Sequence, residues 1–284
     1  MISSSPIYRH TVHMTRVAVI QMVSGDNFEK NLEEASRLIH QAASQHAEFV
    51  LLPEYFSIIS DNEQDKVKLC EPFGSGPLQK FLSSQSKAHH IWLMGGTIPL
   101  QSEDFDRVYN SCLLYNPEGN VSARYEKAHL FDVNVNDQQN ESYNESNTIK
   151  AGDKVVTATT PFAQIGMSIC YDLRFPELYR KMLEENINLI TVPSAFTYST
   201  GKRHWETLLK ARAVENLCYV MAANQGGKNT KSRTTWGHSM IISPWGDILA
   251  SIEEGPGIAI ADLDFMEQAK LRKSFPALKH RKFL

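Results

Sequence analysis

EFVLLPEYF at 48–56 and NLITVPSAF at 188–196 share one local pattern: an apolar run of strand length, a proline, then a turn ending in phenylalanine. Runs this short and this apolar suit strands buried on both faces. Working outward, the likeness repeats. RVAVIQM at 16–22 matches QIGMSIC at 164–170, and IWLMGG at 91–96 matches CYVMAA at 218–223. The hairpin LLYNPEGNVSA at 113–123, with its turn at Asn116-Pro117-Glu118-Gly119, matches MIISPWGDILA at 240–250. The order of strands is kept while the spacing between copies shrinks, so loop lengths drift. Between strands lie helical patterns. Asn27–Ser44 places Phe28, Leu32, Ala35, Leu38, Ile39 and Ala42 on one face, Leu78–Lys87 is a second helix, and Pro176–Glu185 and Lys202–Asn216 follow in the other half. Two similar β-rich halves, each with apolar strands and outer helices, predict an α/β fold: a four-layer α-β-β-α sandwich. No Pro/Gly/Ser-rich linker separates the halves, so residues 15–284 are expected to form one domain behind a disordered leader at 1–14.

The chain has 284 residues, 42% of them hydrophobic, and a net charge of −3. That supports a large core and argues against nucleic acid or an anionic membrane surface as partner. No apolar run reaches the length of a membrane span. The N-terminal MISSSPIYRHTVHMTR lacks the apolar core of a secretory signal. Its Ser-rich, basic composition is compatible with a mitochondrial transit segment, or with a plain leader in which Met14 is an alternative start. A cytoplasmic location is the expectation.

Four cysteines, Cys70, Cys112, Cys170 and Cys218, form no CxxC pair, which argues against a zinc site or a disulfide framework. Cys112 and Cys218 fall inside strand patterns, and Cys70 precedes the turn Glu71-Pro72-Phe73-Gly74. Cys170 differs. It ends an apolar strand and runs at once into Tyr171-Asp172-Leu173-Arg174-Phe175-Pro176, a sharp turn that presents a thiol beside backbone N–H groups. Glu54 ends the strand Phe49–Leu52, where an acid is either solvated or paired for work; the repeat puts Ser194 in its place. Lys127 follows the hairpin return in YEKAHLFD. A lone lysine is usually a surface residue, but a Cys–Glu pair needs a cation to favour the thiolate and to hold an oxyanion. A Cys–His site is the rival chemistry, with His129, His204 and His238 nearest the motifs. A non-enzymatic scaffold would be favoured only had one of Glu54, Lys127 or Cys170 been replaced.

LLPEYF, YEKAHLFD and GMSICYDLRFPEL, in that order, resemble the three signature segments of the nitrilase (carbon–nitrogen hydrolase) superfamily over about Val17–Phe275. The resemblance implies the same sandwich, a Glu54–Lys127–Cys170 triad, no metal or other cofactor, and a supporting glutamate. Glu145 matches that position, with Glu141 in a similar setting. It also implies a thioester route in which the backbone N–H of Tyr171 helps bind the oxyanion.

PSAFTYSTGKRHWETLLKARAVENLCYVMAANQ and GHSMIISPWGD look most like the deaminated glutathione amidase branch. That branch releases 2-oxoglutarate and Cys-Gly. It implies a small carboxylate-bearing amide as substrate, with Arg174 gripping a carboxylate and Phe196 and Thr200 lining the pocket. On the residues alone Arg174 is equally an ion-pair partner of Glu177 or Asp172. The ω-amidases, which release ammonia from 2-oxoglutaramate, and the N-carbamoyl amine hydrolases are the alternatives. The segments Asp132–Lys150, read as an aperiodic polar loop, and Asn224–Trp236 would frame the space beyond the scissile bond. The resemblance further implies a homodimer through the Pro176–Glu185 and Lys202–Asn216 helices. The basic tail Lys270–Leu284 either crosses to the partner or packs on its own subunit.

Overall fold

The computed structural model describes residues 14–135 and 141–282. The expected leader, Met14 apart, lies outside them. Two large sheets carry the repeat. In the first, Gly257–Leu263, Thr15–Gln21, Phe49–Leu51, Trp92–Met94 and Val108–Tyr115 lie in that order, with Val121–Glu126 paired to the last. In the second the order is Thr157–Thr159, Gln164–Met167, Leu189–Ser194, Tyr219–Asn224, Ser239–Ile242 and Ile248–Ile252. Each sheet has three parallel strands followed by an antiparallel hairpin, and each is flanked by one antiparallel edge strand. The edge strand of the first sheet, Gly257–Leu263, comes from the far end of the chain and pairs along all of Thr15–Gln21.

Alternation along the strands builds the layers. Val17, Val19, Phe49 and Leu51 share one buried cluster with Ile165, Val192, Met221 and Ile241 of the other sheet. The alternate residues Ala18, Ile20, Val50 and Leu52 pack on Ala35, Leu38, Ile39 and Ala42 of the helix Phe28–Ser44 and on Leu78 and Leu82 of Pro77–His89. Asn27 caps the first of these helices: its Oδ1 accepts from Lys30 N at 2.9 Å, worth about 1 kcal/mol. On the second sheet, Trp205, Leu209 and Ala213 of Tyr198–Asn216 and Leu178 and Met182 of Pro176–Met182 complete the fourth layer. The α-β-β-α sandwich is thus present. Among the described residues no helix is long and apolar enough to cross a membrane.

Two sequence expectations are corrected. The helix expected from Lys202 begins at Tyr198: Gly201 N donates to the Thr197 carbonyl at 2.8 Å to close its first turn, and glycine is needed there because a Cβ would sit 2.3 Å from Trp236 Cβ. That long-range contact overrides the turn-like composition of YSTGK. Asp132–Lys150 is not an aperiodic loop either. Asp132–Val135 pairs with Glu141–Asn144 in a ribbon, Glu145–Asn147 makes a 3-10 turn, and Ile149–Lys150 joins the first sheet beside Val108–Tyr109.

Candidate active site

Glu54 sits three residues beyond the strand Phe49–Leu51, in a turn that the backbone forces. Gly96 has φ +57°, and a Cβ there would lie 2.1 Å from the Pro53 carbonyl oxygen. Only glycine allows that approach without strain. Next to it, Thr97 Oγ1 accepts from Tyr55 N at 2.9 Å, and Tyr55 itself holds φ +55°. The Glu54 carboxylate, 1% exposed, accepts three hydrogen bonds: Oε1 from Lys127 Nζ and Asn110 Nδ2, and Oε2 from Ala195 N, each at 2.9 Å.

Lys127 follows the strand Val121–Glu126 and is 2% exposed. Its backbone N–H donates to the Asn110 carbonyl at 3.0 Å, so Asn110 positions both the acid and the lysine. Nζ also lies 2.9 Å from Glu145, whose other contacts are Tyr55 Oη, donating at 2.6 Å, and Phe131 N at 2.7 Å. Burial alone would neutralise this lysine; the charges of Glu145 and Glu54 outweigh it and hold the ammonium well above the ordinary lysine range. Burial likewise opposes charge on Glu145, yet Lys127, Lys66 and the Tyr55 hydroxyl bring its carboxyl down to about 2. Tyr55 moves the other way, its hydroxyl kept protonated by burial and by the two glutamates.

Cys170 opens the 3-10 helix Cys170–Arg174 with φ +45°, a left-handed conformation rare for a residue with a Cβ and worth about 1–3 kcal/mol of strain. Asp172 holds the elbow. Fully buried, it accepts from Ile169 N at 2.9 Å, from Tyr125 Oη at 2.7 Å and from His129 N at 3.0 Å, and His129 Nδ1 lies 2.7 Å away. Cys170 is 7% exposed. Burial, then the charge of Glu54, pushes its pKa far up, while Lys127 and the Ala195 N–H work against the rise. A thiol so placed is neutral at rest and needs a base to give up its proton. The N–H of Tyr171, second in the helix, has no acceptor within that helix.

Glu54, Lys127, Glu145 and Cys170 line one cavity of about 340 Å³, within the range of small-molecule sites. Tyr171, Phe196 and Thr200 line it too. Arg174 sits behind that wall, its guanidinium 5.3 Å from the Phe196 ring centre and 5.7 Å from that of Tyr171, with Nη1 3.3 Å from His204 Nδ1. It is not among the lining residues and forms no ion pair with Glu177 or Asp172; burial lowers its pKa, and charge on Cys170 works against that fall. His129, His204 and His238 are not among the lining residues. His129 stacks on Phe175 at 3.8 Å and His238 on Trp236 at 4.1 Å, both structural roles. Cys112 and Cys218 are buried, with thiols pushed up by burial, Cys218 to about 12; Cys70 is half-buried. The ribbon and turn of 132–150 supply Ser142, Tyr143, Asn144, Glu145, Asn147 and Thr148 to the lining. Sequence reasoning missed Tyr55, Lys66 and Arg233. Tyr55 stands inside the quoted LLPEYF, so its signal was available; Lys66 and Arg233 reach the cavity only through long-range folding.

The geometry has parallels among known proteins. The carbon-nitrogen hydrolase family description matches residues 16–273. A deaminated glutathione amidase from Synechocystis sp. is 43% identical over 94% of this chain and 98% of its own length. The human deaminated glutathione amidase is 36% identical over 94% of this chain and 82% of its own. Among solved structures, Saccharomyces cerevisiae Nit3, described as a member of branch 10 of the nitrilase superfamily, superposes with a TM-score of 0.85 at 31% identity, covering 95% of this chain and 97% of that one.

Proposed function

We propose, for a chain that belongs to the carbon–nitrogen hydrolase family, that it cleaves the amide of deaminated glutathione, giving 2-oxoglutarate and Cys-Gly, with Cys170 as nucleophile. The observation that carries the chemistry is the convergence of Cys170, Glu54, Lys127 and Glu145 on one buried cavity. The substrate rests on relatives that bear that name over nearly the whole chain.

In this reading Glu54 accepts the proton of the Cys170 thiol as sulfur attacks the amide carbon. The oxyanion is held by the Lys127 ammonium and the Tyr171 N–H, charge and dipole that are in position before the reaction begins. The C–N bond breaks, the departing amine takes the proton from Glu54, and an acyl thioester remains on Cys170. Water then gives a proton to Glu54 and attacks the thioester. Collapse expels the thiolate, which recovers that proton, and the acid leaves. Glu145 does not react. It keeps Lys127 charged and fixed, and helps place the water through Tyr55. Arg174, four residues after Cys170 and without an ion pair among the described residues, takes the carboxylate of the keto-acid half by moving past the Phe196 and Tyr171 rings that it packs on at rest.

Comparing kcat/KM on deaminated glutathione and on 2-oxoglutaramate tests the substrate. A clear preference for 2-oxoglutaramate overturns the assignment in favour of an ω-amidase. A C170A protein that kept full turnover would sink the mechanism. For assembly, we infer pairing through the face formed by Pro176–Met182 and Tyr198–Asn216, which Arg180 joins by donating to the Glu215 carbonyl at 2.9 Å. Sedimentation velocity giving a monomer would refute it.

A further inference from the structure

We infer that the cavity carries a second carboxylate-binding wall, formed by Lys66 and Arg233, which recognises the carboxylate on the amine half of the substrate. The inference rests on the reading that the substrate is the 2-oxoglutaryl amide of Cys-Gly, and it names what selects that leaving group.

Both cations line the cavity that holds Cys170. Both face Tyr55: Lys66 Nζ lies 5.2 Å from the ring centre and the Arg233 guanidinium carbon 5.9 Å. The hydroxyl of that ring is bonded to Glu145. Arg174, in contrast, packs on the rings of Tyr171 and Phe196. The two sets of cations therefore stand against different walls.

The Lys66–Arg233 wall is built rather than incidental. Lys66 belongs to the short helix Gln64–Lys68, and Arg233 to the turn between the paired strands Gly226–Lys228 and Thr234–Trp236. Asp61 joins these two segments, accepting from Thr230 Oγ1 and from Ser232 Oγ and N. Within the turn, Arg233 N donates to Thr230 Oγ1 at 3.0 Å and the Arg233 carbonyl accepts from Asn229 N at 3.0 Å.

The two cations are not equally matched. Lys66 pairs with Glu63, which also lines the cavity. Arg233 makes no ion pair among the described residues; Nη2 reaches the Ala195 carbonyl at 3.4 Å, and Nε is buried with no acceptor. Leaving a buried guanidinium N–H unmatched is unfavourable. Its planar fork suits a carboxylate, which can take two parallel hydrogen bonds.

Deaminated glutathione carries one carboxylate on the acyl half and one on the glycine of the leaving dipeptide. With Arg174 taking the first, Arg233 and Lys66 take the second. An amide that releases ammonia has no group to offer there, so this wall sets the choice of amine rather than of acyl group.

The test compares kcat/KM for deaminated glutathione and for the same compound with its glycine carboxylate converted to a carboxamide. Wild-type protein is expected to favour the acid by about 10-fold or more. R233Q and, separately, K66Q are expected to bring that ratio close to one, and R233K to leave it intermediate. Thermal melts of each variant identify any that fail to fold. No preference in the wild type, or an R233Q protein that loses acid and carboxamide equally, overturns the inference. If wild type cleaves neither compound, the substrate reading itself fails. Titration of Cys-Gly into C170A and C170A/R233Q then decides the wall on its own: weaker binding to the second supports it, and equal binding overturns it.

Discussion

Asp172 and Tyr125 meet through a 2.7 Å hydrogen bond that ties the thiol's elbow to the strand leading into Lys127. The carboxylate lies two residues after Cys170 and the phenol two residues before Lys127, so a contact outside the cavity sets the separation of nucleophile and cation. Y125F leaves Asp172 its remaining donors and is expected to cost about 1 kcal/mol, a Tm loss of about 2–4 °C. D172A strands several buried donors at once and is expected to cost about 3–5 kcal/mol and to reduce kcat more than KM rises. Calorimetry with steady-state kinetics checks both; a D172A protein of unchanged melting temperature refutes this role for Asp172.

Lys127 balances two buried glutamates, so removing it has separable effects. K127M is expected to lose about 3–5 kcal/mol of stability, because Glu54 and Glu145 are left with an unpaired charge. Its kcat/KM is expected to drop by about 10³-fold. Adding E145Q removes the excess negative charge, so K127M/E145Q recovers stability without recovering activity. Recovery of turnover in the double variant would mean that Lys127 is purely structural.

The pH dependence has a definite sign. Glu145 has a folded-state pKa of about 2, below the ordinary value of 4.5. A group depressed in this way stabilises the fold fully above its unfolded pKa and loses that contribution as pH falls through the folded one. The stability gap between wild type and E145Q is therefore expected to be largest at neutral pH and to shrink between about pH 5 and about pH 2. Urea titrations at several pH values measure it. A gap that widens on acidification contradicts the assignment.

Gly96 makes a sharper demand. G96A must fit a methyl group at 2.1 Å from the Pro53 carbonyl and hold a non-glycine residue at φ +57°. The expected result is more than about 2 kcal/mol of destabilisation and a loss of activity that survives at temperatures where the variant is folded, since the turn displaced is the one bearing Glu54. Full activity in the folded variant would show that the turn relaxes without moving the acid.

Much of this was legible in the sequence because it is local. Buried strands announce themselves as apolar runs, and the doubling of those runs foretold two sheets of one plan. Glu54, Lys127 and Cys170 stand at the ends of strands or hairpins, so their neighbours in sequence are also their neighbours in space. The ribbon at 132–150 was hard to read because its strands are only four residues long: Asp132–Val135 alternates polar residues with valine for just two periods, and Glu141–Asn144 has Tyr143 alone to pair with it. The start of the helix at Tyr198 was hidden for another reason: what makes Gly201 suitable is Trp236, far along the chain. Lys66 and Arg233 fall in the same class. Each is an ordinary cation in a polar stretch, and only the Asp61 link and the shared Tyr55 ring give them a joint meaning.

The pairing of Gly257–Leu263 with Thr15–Gln21 bears on synthesis in the cell. Of the described strands Thr15–Gln21 is made first, and its antiparallel neighbour is made after all the others. Until that neighbour emerges, one side of the opening strand is an unpaired edge, open to other chains. The first sheet of this duplicated sandwich cannot be closed until residues 257–263 are made, and a nascent chain stalled before residue 257 would present that edge to chaperones.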